Sequence, residues 1–134
     1  MTGSAPFRNA DELEKIKAVA GTDDDGPVLM LNLNRYTEAA AYPDGELYRR
    51  YMAVLHDLLP KVGGKVLWRS SVLGQAAGKQ DIDEILAVWY PSHQAFLEMP
   101  QVPGAAENYE LRRECVAEAV IHRCPGGQAP LDGS

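Results

Sequence analysis

Pro27-Val28-Leu29-Met30-Leu31-Asn32-Leu33-Asn34 decides the fold. In an extended chain alternate residues face opposite sides, and this run is apolar on both sides as far as Asn32. Such a strand belongs in the middle of a sheet that is covered on both faces. Glu84-Ile85-Leu86-Ala87-Val88-Trp89-Tyr90, in a strand expected from Asp83 to Tyr90, has the same two-sided character.

Working outward from the first run, Thr37 to Gly45 reads as a loop with a turn at Tyr42-Pro43-Asp44-Gly45. From Glu46 to about Val62, Leu47, Tyr51, Val54, Leu55, Leu58 and Val62 recur at helical spacing, and Arg49, Arg50, His56 and Asp57 fall off that face. Gly63-Gly64 supplies the stop. Lys65 to Leu73 is a strand, with Val66, Trp68, Ser70 and Val72 expected on one side and Lys65, Leu67, Arg69, Ser71 and Leu73 on the other. After the third strand, Ser92 caps a short helix that Pro100 and Pro103 interrupt. A further helix is predicted from about Gly104 to Ala117, and a fourth strand from Ala119 to Arg123. On the N-terminal side, Asn9 is expected to cap a helix with a thin stripe of Leu13, Ile16 and Val19 or Ala20. Residues 1–26 are thus an N-terminal extension with a short helix, 27–124 one domain, and 125–134, rich in Gly and Pro, a disordered tail.

The order strand, helix, strand, strand, helix, strand predicts an α+β, ferredoxin-like βαββαβ domain with one antiparallel sheet and both helices on one face. The other face keeps apolar side chains that need a partner. A second copy is the simplest one, which makes a homodimer.

Composition narrows the function classes. A chain of 134 residues fits a single domain that buries a core without staples. A net charge of -6 and no long basic run argue against nucleic acid or an anionic membrane. No apolar run approaches the ~20 residues of a membrane span, and the N-terminus lacks a signal pattern, so a cytoplasmic location is expected. Cys115 and Cys124 lack metal-ligand spacing and read as unpaired thiols. Without a His-x-x-x-His, Cys-x-x-Cys, dinucleotide-loop or Gly-x-Ser-x-Gly pattern, no metal site, no flavin or nicotinamide cofactor and no serine nucleophile is expected.

Several short motifs add a resemblance: Asn32-Leu33-Asn34-Arg35-Tyr36, Tyr42-Pro43-Asp44-Gly45, Tyr48-Arg49-Arg50-Tyr51, Gly63-Gly64-Lys65-Val66-Leu67-Trp68, Tyr90-Pro91-Ser92 with Phe96 and Met99, and Arg112. In order and spacing, over residues 27 to 124, they resemble the domain-of-unknown-function family 1330, a dimeric α/β-barrel group. The resemblance implies that fold and the dimer. It also implies membership of a superfamily with cofactor-free monooxygenases, isomerases, dehydratases, polyketide cyclases, haem enzymes and stress-response modules. Two positions depart from the family pattern: Asn34 stands where Leu is usual, and Leu111 stands where a His precedes the Arg.

The candidate site residues follow from chemistry. A carboxamide at Asn32 or Asn34 in an apolar central strand must find partners. Asn32 is either an oxyanion donor or a structural amide bonded to backbone. Tyr51 on the core face of its helix and His122 on the fourth strand are candidate proton carriers. Arg112, which fits the resemblance, would bind an acidic group, and Trp68 and Trp89 would wall a pocket for a flat ligand. Arg69 is read as an ion-pair partner of a nearby carboxylate such as Glu84 or Glu110. Two functions remain open: a cofactor-independent enzyme on a small, aromatic or polyketide-like molecule, working by proton transfer, cyclisation, dehydration or oxygenation, and a non-catalytic dimer that binds a small ligand or protein.

Overall fold

The computed structural model describes residues 9–127. Its elements are α1 (Ala10–Val19), β1 (Val28–Tyr36), α2 (Glu46–Leu58), β2 (Lys65–Ser71), β3 (Glu84–Tyr90), α3 (His93–Glu98), α4 (Ala105–Cys115) and β4 (Val116–Pro125). The strands form one sheet in the order β2-β3-β1-β4, and every neighbouring pair is antiparallel. The architecture is therefore the expected α+β, ferredoxin-like one, and the two strands that read as apolar on both faces are the two central ones.

β1 alternates buried and half-buried residues along its whole length. Val28, Met30, Asn32, Asn34 and Tyr36 are buried toward the helices; Leu29, Leu31, Leu33 and Arg35 face the open side of the sheet. The register carries these faces to the neighbours, because residues directly opposite share a side. Leu86 and Val88 lie opposite Asn32 and Met30, so they join the core; Ala87 and Trp89, opposite Leu31 and Leu29, face outward.

β2 departs from simple alternation. Val66 pairs with Val88 and Trp68 with Ala87, so the register shifts between them and Leu67 is the additional residue. This bulge puts Val66 on the core side and Trp68 and Ser70 on the open side, instead of all three together. On α2, Tyr48, Tyr51, Met52, Leu55 and Leu58 are buried, whereas Leu47 and Val54 only flank the core. After α2 a 3-10 turn, Leu59–Val62, ends at Gly63 in the left-handed conformation, φ 79°, which a residue without Cβ adopts freely.

β4 starts at Val116, directly after α4, and reaches Pro125, so it is longer than expected at both ends. Gly126 N–H donates to the Pro27 carbonyl at 3.1 Å, which makes the start of the expected tail part of the sheet edge. Residues 128–134 of that tail and the first eight residues lie outside the described residues. Asn9 sits at the N-cap of α1, although its side chain makes no capping bond.

Candidate functional site

Between the helices and the inner face of the sheet lies a cavity of about 720 Å³, within the roughly 300–1,000 Å³ usual for small-molecule sites. Met30, Leu55, Leu58, Leu86, Val88 and Phe96 give it apolar walls, and the N-cap Asn9 with Glu12, Leu13 and Ile16 of α1 lines one side. The thin stripe of the N-terminal extension is therefore part of the site wall.

Four of the sequence candidates meet here: Asn32, Asn34, Tyr51 and Arg112 all line this cavity. Asn32, Asn34 and Tyr51 are 8%, 1% and 2% exposed. Arg112 Nη1 on α4 donates to the Tyr51 hydroxyl on α2 at 3.2 Å, so a guanidinium and a phenol form one polar spot on an apolar wall. Asn32 Nδ2 donates to the Met30 carbonyl at 3.0 Å, the backbone alternative of the two readings open to it. Asn34 Nδ2 donates to the Tyr36 hydroxyl at 3.3 Å. Its Oδ1, and that of Asn108 on α4, have no hydrogen-bond partner among the described residues.

The other three candidates lie on the opposite side of the sheet. His122 is exposed and opposite Leu31 in the register, so it shares Leu31's open face, not the face of Asn32. Trp68 is 51% exposed there as a result of the β2 bulge. Trp89 is half-buried on that face; its Nε1 donates to the Gly126 carbonyl at 3.0 Å, and Lys65 Nζ lies 5.4 Å from the ring centroid. Within the chain, then, neither of two cavities among the described residues holds Asn32, His122 and both Trp residues. Pure alternation could not reveal this, since His122 and Asn32 are on different strands whose relative register is set only by the fold.

Two polar clusters went unread in the sequence. The first is centred on Glu84, which is 2% exposed. Its carboxylate accepts from Tyr36 at 2.5 Å, from Tyr48 at 2.8–2.9 Å and from Arg69 at 3.2 Å. Arg69 also donates to the Tyr48 hydroxyl, and Tyr36, Tyr42 and Tyr48 pack against one another as rings. Burial, reinforced by Glu84, holds the Tyr36 and Tyr48 phenols far above the ordinary phenol range. The expected Arg69–Glu84 pair is part of this cluster.

The second cluster pins α1. Asp25 accepts from the backbone of Gly21, His93 and Gln94 and from His93 Nδ1 at 2.8–3.1 Å. Burial pushes its carboxyl up, but these donors outweigh burial and hold it well below the usual range. His93 Nε2 in turn lies 3.5 Å from Arg123 Nη1, and Arg123 Nε donates to Glu12 on α1. Both Glu12 and Arg123 line the cavity. Burial also pushes the Cys115 thiol up to about 11; it and Cys124 are unpaired.

Among the described residues no group of three His, Cys, Asp or Glu could hold a metal ion, and no helix is long and apolar enough to cross a membrane. No family model matches the chain, so the resemblance to family 1330 stays a resemblance. No curated protein matches it. Solved structures do. A protein of unknown function from Rhodopseudomonas palustris is 29% identical, with a TM-score of 0.73 over 90% of this chain and 95% of that one. Hydroxynitrile lyase from Passiflora edulis is 17% identical, with a TM-score of 0.57 over 78% and 98%. A dimeric ferredoxin-like protein of unknown function from Thermobifida fusca is 13% identical, with a TM-score of 0.51 over 74% and 90%. The latter two likenesses concern the fold alone. Sheet order, helix placement and these neighbours define the class: an α+β protein of the ferredoxin-like type.

Proposed function

We propose that this chain is a cofactor-independent small-molecule enzyme that works as a homodimer and belongs with family 1330. The observation that carries the reading is the Tyr51–Arg112 pair, 3.2 Å apart, on the wall of an apolar cavity large enough for an aromatic acid. Arg112 holds a carboxylate or developing oxyanion; the Tyr51 hydroxyl, which accepts from Arg112, offers its own proton to the same oxygen. The reaction class that fits is proton transfer next to a carbonyl, as in isomerisation, cyclisation, dehydration or lyase chemistry, with no added metal, flavin or nicotinamide. A neighbour of the same fold is named a hydroxynitrile lyase, which makes lyase chemistry one member of this class. The homodimer rests on the half-buried Leu29, Leu31 and Leu33 and the exposed Trp68 on the open face, and on a neighbour described as dimeric. A cytoplasmic location goes with this reading.

The second reading is a binding module without turnover. It is favoured by Asn32, whose amide donates to the Met30 carbonyl and not into the cavity. Phenylpyruvate in deuterated water separates the two, since it carries a carboxylate, a ketone and exchangeable benzylic protons. The enzyme reading expects wild-type protein to accelerate benzylic deuterium exchange, Tyr51→Phe to lose about 10²–10⁴-fold of it, and Arg112→Met to weaken binding. Binding without accelerated exchange gives the module reading. Neither binding nor exchange overturns both.

A further inference from the structure

We infer that the cavity selects molecules carrying a hydrogen-bond donor, such as a hydroxyl, read by Asn34 Oδ1, besides the acidic group taken by Arg112. This rests on the cavity reading above and goes beyond it by naming a second recognition group. The argument is one of hydrogen-bond direction. The Glu84 carboxylate, packed against Arg69, accepts a hydrogen bond from the Tyr36 hydroxyl at 2.5 Å. The Tyr36 oxygen can then only accept, and Asn34 Nδ2 is the group that donates to it at 3.3 Å. The side-chain amide of Asn34 is thereby fixed: its nitrogen faces the Tyr36–Glu84 cluster, and its oxygen is left as an acceptor.

That oxygen is buried and unpartnered among the described residues, on a residue that lines the cavity. Asn108 on α4, which also lines the cavity, carries a second buried and unpartnered oxygen among the described residues. A stranded buried acceptor costs stability, and a leucine of similar size would avoid that cost. A ligand donor removes it. The amides and the Tyr51–Arg112 pair thus ask for opposite chemistry: a donor at one spot, an anion or carbonyl oxygen at the other, and an apolar body between. Hydroxylated aromatic acids have that pattern. A site built to bond a hydroxyl discriminates strongly against the analogue that lacks it, because its own polar group is then left alone.

The test is calorimetric binding of 4-hydroxyphenylacetate, phenylacetate and 4-methoxyphenylacetate, with the matching benzoates and 3-phenylpropionates to vary reach. In at least one trio the hydroxylated acid is expected to bind wild type about tenfold tighter than both others. Asn34→Leu is expected to level the trio. A level trio in wild type, or a hydroxyl preference that persists in Asn34→Leu, overturns the inference and leaves the cavity reading standing. If no acid binds wild type, the cavity reading falls and takes the inference with it. Should Asn34→Leu lose cooperative unfolding, the wild-type comparison of hydroxyl with methoxy decides alone.

Discussion

Glu84 shows what a single residue hides in a sequence. It stands at the start of an apolar strand, where a carboxylate looks like a solvated end. In the fold it is the common acceptor for side chains from β1, α2 and β2, and no local pattern brings Tyr36, Tyr48 and Arg69 to one point. Tyr48 gives no sign of this role in the sequence for the same reason, while an ion pair for Arg69 was legible, with Glu84 among its candidate partners, and the neighbouring β2 and β3 bring the two together. Asn32 and Asn34 announced themselves, as amides in an apolar strand must; which partners they take was not readable, since these lie on their own strand's backbone and on Tyr36. Glu84→Leu is expected to strand two buried hydroxyls, each worth about 1–3 kcal/mol, and to lower the urea midpoint accordingly. Adding Tyr48→Phe should recover part of the loss, because removing both partners is far cheaper than removing one, and the exposed Arg69 keeps access to water. An unchanged midpoint in Glu84→Leu would mean that the cluster contributes nothing to stability.

Elements were legible where their period was strong. α2 could be read because Tyr51, Leu55 and Leu58 repeat at helical spacing; its exact face shifted by a residue toward Tyr48 and Met52. β2 could not be read to the residue, because alternation carries no sign of the additional Leu67, and that one residue moves Trp68 to the other side. α1 was recognised as a helix, but its place was not, since the Asp25–His93 and Glu12–Arg123 contacts that dock it join residues far apart in the chain. Asp25 makes this docking depend on pH. Its folded carboxyl is held below the value of the unfolded chain, about 3.9. The stabilisation is therefore complete above that value and is lost as pH falls below it toward the depressed folded one. Asp25→Ala should cost about 1.5–3 kcal/mol near neutral pH. The melting temperatures of variant and wild type should converge as the pH is lowered toward about 2. A gap that stays constant over that range would show that the carboxylate's charge is not what holds the α1–β1 connection to α3.

At the scale of the whole molecule the topology was legible from element order alone, and so was the uncovered face, because β1 carries leucines on the side away from the helices. What the order could not supply was which candidate residues share a side: it grouped Asn32, His122, Trp68 and Trp89, and the sheet separates them. If the open face joins two copies, Leu31→Asp places a charge at its centre. Sedimentation should then show monomers where the wild type shows dimers, with helical content retained; a variant that stays dimeric would move the interface elsewhere. The central claim is that the ligand sits between helices and sheet, on the opposite side from the two tryptophans. An NMR titration of the amide and indole N–H signals with phenylacetate tests it most directly. The account predicts saturable shifts at Asn34, Tyr51, Leu86 and Arg112, with the indole signals of Trp68 and Trp89 unmoved. Shifts confined to the two indoles and His122, with the cavity residues silent, would contradict it.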